Sequence, residues 1–317
     1  MSKPDLLLIG PIYPPTMAQL DAAYTVHRYW ESKDKDALLA SLKDKCEAAA
    51  TSGHAGIAAN VIRALPKLKM VSCFGVGYDG VDIPAVQAAG IKVSNTPDVL
   101  NECVADTSMM LVLATVRRAI FNDRFVRAGK WLSGNAPLTD KVWGETLGIV
   151  GLGRIGKAIA KRAEGFGMKI VYHGRTRQAD VPYQYYADLK EMAKAVKVLL
   201  LILPGGKATE NLVNAEVLAA LGKKGYLINV SRGSNVDEPA LLKALQDGVI
   251  AGAGLDVFVD EPRMSEEFFK LDNVVLQPHV GSGTVHTRTA MGQLVVDNLT
   301  AWFAKKPLLT EIPETRG

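Results

Sequence analysis

A chain of 317 residues is long enough for two domains, and a 48% hydrophobic composition supplies enough apolar surface for two cores. Its formal net charge of +4 is spread along the chain without a basic run, which argues against nucleic acid and favours small anionic ligands. No apolar run nears the roughly twenty residues of a membrane span. The Met1-Ser2-Lys3-Pro4-Asp5 start lacks a signal-peptide pattern, and Cys46, Cys73 and Cys103 are scattered in apolar or alanine-rich surroundings. A cytoplasmic protein with buried reduced thiols and no metal site is therefore expected.

In the first third, short apolar runs at Leu6 to Ile9, Ala48 to Thr51, Met70 to Phe74 and Ile91 to Ser94 alternate with helical stretches. This strand-then-helix order predicts one small parallel α/β unit. From Asp98 the pattern changes: Val104 to Val116 reads as a long apolar helix that continues past the Arg117-Arg118 pair. A second, larger unit follows, with strands predicted at 146–150, 168–173, 198–203, 226–231, 250–257 and 273–278. The stretch from Thr284 to Phe303 is helical, with no obvious strand after it. If it packs back on the first unit, the chain crosses between domains twice, and a ligand cleft is expected between two doubly wound parallel-sheet domains.

Within the second unit, Gly151-Leu152-Gly153-Arg154-Ile155-Gly156 follows the predicted strand Thr146-Leu147-Gly148-Ile149-Val150. It precedes a helix marked by Ile155, Ile159, Ala163 and Phe166. In that context the glycines form a dinucleotide fingerprint: Gly151 for the tight turn, Gly153 for close approach of a pyrophosphate, and Gly156 for helix-on-strand packing. The next strand runs into Gly174, where an NAD-selective site would carry an acid. With Arg175 and Arg177 beside it and Thr176 offering a hydroxyl, the tip suits a 2′-phosphate and hence NADP, the alternative being a solvated basic turn.

Three residues stand just past predicted strands, where open α/β sheets bind ligands. They are Arg232 after Leu227-Ile228-Asn229-Val230-Ser231, Glu261 after Gly254-Leu255-Asp256-Val257-Phe258, and His279 after Val274-Val275-Leu276-Gln277-Pro278. Reduction of a 2-keto acid needs a proton donor, suited to a histidine oriented by a carboxylate, and a cation for the substrate carboxylate, suited to arginine. Singly, each residue also has a structural explanation, such as a hydrogen-bonded strand-end histidine or a turn at Glu261-Pro262.

The ordered set of segments resembles the D-isomer-specific 2-hydroxyacid dehydrogenase family, and within it the glyoxylate/hydroxypyruvate reductases, including the plant hydroxyphenylpyruvate reductases. The resemblance rests on Val71-Ser72-Cys73-Phe74-Gly75-Val76-Gly77-Tyr78-Asp79, Asn95-Thr96-Pro97-Asp98-Val99-Leu100, the glycine fingerprint and Asn229-Val230-Ser231-Arg232-Gly233. It extends through Gly254-Leu255-Asp256-Val257-Phe258, Glu261-Pro262 and Pro278-His279-Val280-Gly281-Ser282-Gly283. It implies an α/β fold of two domains: a Rossmann cofactor domain, residues 98–284, inserted in a flavodoxin-like substrate-binding domain, residues 1–97 and 285–317.

By the same resemblance, Arg232 is the substrate-binding arginine, Glu261 the acid paired with histidine, and His279 the proton donor. Asp256 would bond the nicotinamide carboxamide, and Val76 and Gly77 would hold the substrate carboxylate through backbone amides. Leu203, Pro204 and Thr209 would lie at the adenosine end, and Val230, Ser231 and Arg232 beneath the nicotinamide, with Gly281 among the cofactor contacts. The implied reaction is NADPH-dependent reduction of glyoxylate or hydroxypyruvate to a D-2-hydroxy acid. Family members are typically homodimers paired through the cofactor domain, with the helix near Val104 to Phe121 and the arm from Phe125 to Leu138 as candidate contacts. Trp131 and Trp143 could reach a partner's substrate pocket, though local core or interface packing is the preferred expectation.

Two rival readings remain: a dinucleotide-sensing, corepressor-like binding protein on the same scaffold, and an NAD-dependent D-lactate or phosphoglycerate dehydrogenase. Against the second stand the missing acid at position 174 and the lack of a long regulatory extension after Phe303. Ser52, His54 and Tyr78 lie in loops that the sequence does not place, and His54 is expected to cap or pack within its loop.

Overall fold

The computed structural model describes residues 3–316. The chain divides into two compact units: residues through Leu100 together with those from Thr284 onward, and Asn101–Gly283.

The first unit alternates strand and helix: β1 (Asp5–Leu8), α1 (Pro14–Ala23), β2 (Thr25–Arg28), α2 (Lys35–Leu42), β3 (Ala48–Ser52), α3 (Ala59–Ala64), β4 (Met70–Phe74), α4 (Ile83–Ala88) and β5 (Lys92–Ser94). All pairings are parallel in the order β2-β1-β3-β4-β5, the flavodoxin-like order. Leu6, Leu7, Leu8 and Ala48 to Ala50 are buried because helices cover both faces of the sheet, which makes continuous apolar runs stable as strands. Strand β2 is not anticipated from the sequence. It is a short edge strand whose only aliphatic residue is Val26, so it offers little periodicity.

The second unit starts with α5 (Asn101–Val116) and α6 (Ala119–Arg127). It continues through β6 (Thr146–Val150), α7 (Arg154–Gly165), β7 (Lys169–His173), β8 (Gln184–Tyr186), α8 (Leu189–Ala195), β9 (Val198–Leu201), α9 (Ala215–Leu221), β10 (Tyr226–Asn229), α10 (Glu238–Gln246), β11 (Gly252–Leu255) and β12 (Val274–Leu276). Its seven parallel strands run β12-β11-β10-β9-β6-β7-β8. The order reverses at β6, where the chain winds outward in both directions, and crevices at such reversals are favoured ligand sites. The three-residue β8 escapes sequence analysis for the same reason as β2: it is a short sheet edge.

The helix expected to continue past Arg117-Arg118 does not. Arg118 takes a left-handed conformation (φ 49°) between α5 and α6, and its guanidinium lies 4.1 Å from the centre of the Phe121 ring. The physical reason is burial: α5 buries Ala105, Met109, Leu111, Val112 and Val116, whereas α6 buries nothing. The α5–sheet contact is close at Gly254, where a Cβ would fall 2.6 Å from Thr115 Oγ1 and 2.9 Å from Ile228 Cδ1.

The chain then returns to the first unit as α11 (Val285–Phe303), N-capped by Thr284, whose hydroxyl accepts from Thr287 N. The segment after it is not without strand contact, because Glu311 forms a single antiparallel bridge with Ser94 at the end of β5. Cys46 and Cys73 are buried, while Cys103 is partly exposed rather than buried; none of the three is in a disulfide among the described residues. Among the described residues no helix is long and apolar enough to cross a membrane.

Candidate active site

The fingerprint loop leaves β6 at Gly151, whose φ of 98° is open to glycine and unfavourable for other residues. A side chain there would also strike the Ile202 carbonyl, with Cβ 2.3 Å from its oxygen. Gly153 caps α7 and has nothing within 4 Å of a built Cβ, so space is open in front of the helix N-terminus where Arg154 and Ile155 begin. Gly156 is buried with its Cβ position 2.4 Å from Gly151 O, which brings helix and strand together. These three positions fit a pyrophosphate laid on helix N-terminal amides.

The loop after β7 is tied to the fingerprint. Gln178 Nε2 donates to the Leu152 carbonyl at 2.7 Å, Gln178 N donates to Tyr172 Oη at 2.7 Å, and Tyr185 Oη donates to Gly174 O at 3.1 Å. Between these anchors Arg175, Thr176 and Arg177 are exposed. Among the described residues neither guanidinium has a hydrogen-bond or ion-pair partner, while nearby Lys157 is neutralised by Asp180 at 2.6 Å. Gln178 is a positioning residue that sequence reasoning missed, since nothing in a lone glutamine signals it.

At the carboxyl ends of β9 and β10 a buried amide network shapes two loops. Asn229 Oδ1 accepts from Ser231 N (3.1 Å) and Oγ (2.7 Å), and Ser231 Oγ lies 2.8 Å from Asn235 Oδ1. Asn235 Nδ2 reaches the carbonyls of Pro204 (3.2 Å) and Thr209 (3.3 Å), and Thr209 Oγ1 donates to Pro204 O at 2.8 Å. The Leu203–Pro204–Thr209 loop is thereby joined to the Val230–Ser231–Arg232 loop, with Val230 and Ser231 buried.

His279 Nδ1 and Glu261 Oε2 are 2.6 Å apart, and Glu261 Oε1 accepts from Phe258 N at 2.9 Å. The carboxylate is therefore held by backbone and in turn orients the imidazole, leaving Nε2 as the ring atom not used by this pair. His279 itself sits at φ 53°, and its N–H donates to the Asp256 carbonyl at 2.8 Å. Arg232 reaches the pair through backbone: a Cβ on Gly233 would fall 2.0 Å from the Phe258 carbonyl carbon. That close approach presses the loop after β10 onto the residue whose N–H holds Glu261.

Asp256 is almost fully buried at the end of β11. Its Oδ1 accepts from Val280 N and its Oδ2 from Gly281 N, each at 2.8 Å. Burial raises its pKa above the usual carboxylate range, with the two backbone donors and His279 acting in the opposite direction. Its first role is thus to shape the His279–Gly281 loop, and a carboxamide contact would add to it. Gly281 O in turn accepts from Thr107 Oγ1 of α5 at 3.2 Å.

Val76 and Gly77 belong to the other unit, in the loop after β4. Among the described residues neither N–H has a hydrogen-bond acceptor, which leaves two adjacent amide donors for an anion. In the same unit His54 is exposed, and Ser52 Oγ caps its own turn by accepting from Ala55 N. Trp131 and Trp143 are 64% and 69% exposed, so of the two expected packings, local core or interface, neither residue takes the first.

The sequence profile of the D-isomer specific 2-hydroxyacid dehydrogenase, NAD binding domain, matches residues 109–281. The chain is 46% identical over 312 residues to glyoxylate/hydroxypyruvate reductase A of Arabidopsis thaliana, covering 98% of this chain and all of that one. It is 45% identical to hydroxyphenylpyruvate reductase of Plectranthus scutellarioides, over 97% of this chain and 98% of the relative. A crystal structure of the NADPH-dependent glyoxylate/hydroxypyruvate reductase of Sinorhizobium meliloti, in complex with NADP and malonate, superimposes with a TM-score of 0.93 at 47% identity. That superposition covers 99% of this chain and 98% of the other.

The Gly233–Phe258 contact generates a prediction. Gly233→Ala must displace backbone, at a cost of about 1–3 kcal/mol, and pull Phe258 N away from Glu261. The expected result is a lower thermal midpoint and a fall in keto-acid reduction of roughly tenfold or more. Unaltered calorimetry and kinetics would show that the contact does not support the histidine pair.

Proposed function

Because the chain belongs to the D-isomer-specific 2-hydroxyacid dehydrogenase family and is an oxidoreductase, we propose that it reduces small 2-keto acids, glyoxylate and hydroxypyruvate among them, using NADPH in preference to NADH. The observation that carries this reading is the 2.6 Å His279–Glu261 pair, itself fixed by the Phe258 N–H. When bound, the nicotinamide supplies the hydride. His279 Nε2 gives a proton to the oxygen of the carbonyl being reduced, and the Glu261 carboxylate stabilises the charged imidazole before transfer. Arg232 serves as the fork for the substrate carboxylate, and Val76 and Gly77 add backbone donors to it. Among residues beside the cofactor, Asp256 and Gly281 shape the loop that carries His279.

The NADPH preference is supported by the guanidiniums of Arg175 and Arg177, unpartnered among the described residues, by Thr176 between them, and by Gly174 where an acid would select NAD. The NADP-bound relative from Sinorhizobium meliloti points the same way. A corepressor-like role and an NAD-dependent D-lactate or phosphoglycerate activity are less favoured by the named relatives. Ile120, Val126, Trp131, Leu132, Leu138 and Trp143 form an exposed apolar series on α6 and the arm after it. A surface of this kind suits a second copy of the chain, giving a homodimer paired through the cofactor domain.

His279→Ala is expected to lower the rate of glyoxylate reduction by about a hundredfold or more, the usual scale of acid catalysis, with NADPH binding nearly unchanged. A near-normal rate would remove it as the proton donor. Arg175→Asp should shift the ratio of NADPH to NADH efficiency toward NADH by roughly ten- to a hundredfold, the worth of a charge-assisted fork; an unmoved ratio refutes the 2′-phosphate assignment. Sedimentation equilibrium should give about twice the 34.1 kDa chain mass, and a monomer at micromolar concentration would contradict the pairing.

A further inference from the structure

In a trans peptide the C=O of one residue and the N–H of the next lie in one plane and point in opposite directions, so anchoring a carbonyl aims the following amide. Two such anchors fall on the loop after β4. The Gly75 carbonyl, which shares its peptide with Val76 N–H, accepts from Thr96 N at 2.9 Å, and Gly75 N donates to Thr96 Oγ1 at 3.0 Å. The Val76 carbonyl, which shares its peptide with Gly77 N–H, accepts from Asn95 Nδ2 at 2.9 Å. Two consecutive residues after β5 thus set the direction of the two amides that have no acceptor among the described residues.

Asn95 is held from the C-terminal end of the chain. Its N–H donates to Thr310 O at 3.2 Å, and its carbonyl accepts from Thr310 Oγ1 at 2.6 Å. Thr310 is held by Asn298 of α11, which is fully buried. Asn298 Oδ1 accepts from Leu309 N (3.0 Å) and Thr310 N (3.2 Å), while Nδ2 donates to Thr310 Oγ1 (2.9 Å) and Leu294 O (2.7 Å). That uses the full capacity of the amide, and an amide buried with every bond made has one favourable orientation. On the far side of the loop, Tyr78 Oη donates to both carboxylate oxygens of Glu314, at 3.0 and 3.1 Å. Gln87 Nε2 fastens the Glu314 carbonyl at 2.8 Å. Burial first, and then the Glu314 carboxylate, pushes the Tyr78 phenol up to about 12, so it remains a donor at neutral pH.

We propose that the segment from Leu309 to Glu314 is a strap that aims the Val76 and Gly77 amides at the substrate carboxylate, with Asn95 and Thr310 as positioning residues. The inference rests on the reading of those amides as carboxylate donors. The strap belongs to the substrate step: the bonds named above tie it to Asn95, Asn298, Tyr78 and Gln87, all within the first unit. Its loss should therefore appear in the substrate KM and leave cofactor affinity alone.

The test compares Asn95→Ala and Thr310→Val with wild type, and includes Thr310→Ser, which keeps the hydroxyl. Each missing hydrogen bond should raise the KM for glyoxylate about fivefold, with kcat and the NADPH dissociation constant little changed, and Thr310→Ser should restore the wild-type value. Amide hydrogen exchange of peptides covering residues 75–79 supplies the second readout, without ligand and with NADP+ plus malonate. Exchange without ligand should quicken in Asn95→Ala and Thr310→Val, and malonate should protect the wild-type loop. Protection in wild type together with unchanged exchange and unchanged KM in the variants would overturn the strap alone. Absence of malonate protection in wild type would overturn the carboxylate reading and the inference with it.

Discussion

The backbone contact between Gly233 and Phe258 is the constraint on which the candidate site depends. The loops after β10 and β11 approach so closely that no side chain fits between them. That approach places Arg232 on one loop and the amide that grips Glu261 on the other. Glu261 then fixes His279, whose own N–H is fastened to Asp256 at the base of the same edge. Three side chains from three successive strand ends are thus assembled by main-chain hydrogen bonds, one packing contact and the single side-chain pair of Glu261 with His279, whose carboxylate is itself held by backbone.

Charge is distributed unevenly around this assembly. Asp256 is a buried carboxylate with its two oxygens shared between consecutive backbone donors, an arrangement that exchanges solvation for a fixed loop shape. Arg175 and Arg177 are the opposite case: exposed, unpartnered among the described residues, and mounted on a loop anchored at both ends. A cation kept in water costs little when no ligand is present. It still offers a positioned donor to a phosphate, because the loop rather than the side chain is held in place.

The first unit uses the same device, a loop held in place through its backbone. Its Val76 and Gly77 amides gain direction from carbonyls anchored by Asn95 and Thr96. Asn95 is fastened by the hydroxyl and carbonyl of Thr310, more than two hundred positions later in the sequence. The C-terminal segment therefore has a part in the first unit beyond packing, through an Asn298 side chain with every polar atom in use.

Most of the fold was legible in the sequence because parallel strands covered on both faces read as largely apolar runs, as at β1, β3, β4, β6 and β9, and because glycine spacing marks the turn into α7. The edge strands β2 and β8 were not, since a short edge needs no apolar run, and the break at Arg118 was not, since two helices with different burial share one helical pattern. The residue types at the site, Arg232, Glu261 and His279 past their strands and Arg175 to Arg177 past theirs, were determined by the sequence alone, because a parallel sheet puts every strand's carboxyl end on one edge. Only the tertiary structure decided which of them touch, and which silent residues hold them. Gln178, Asn235, Asn95 and Thr310 act through bonds to backbone atoms far away in sequence, Gly233 through a close backbone approach and Asn229 through bonds within its own loop, and a backbone acceptor leaves no trace in the letter of the residue that carries it.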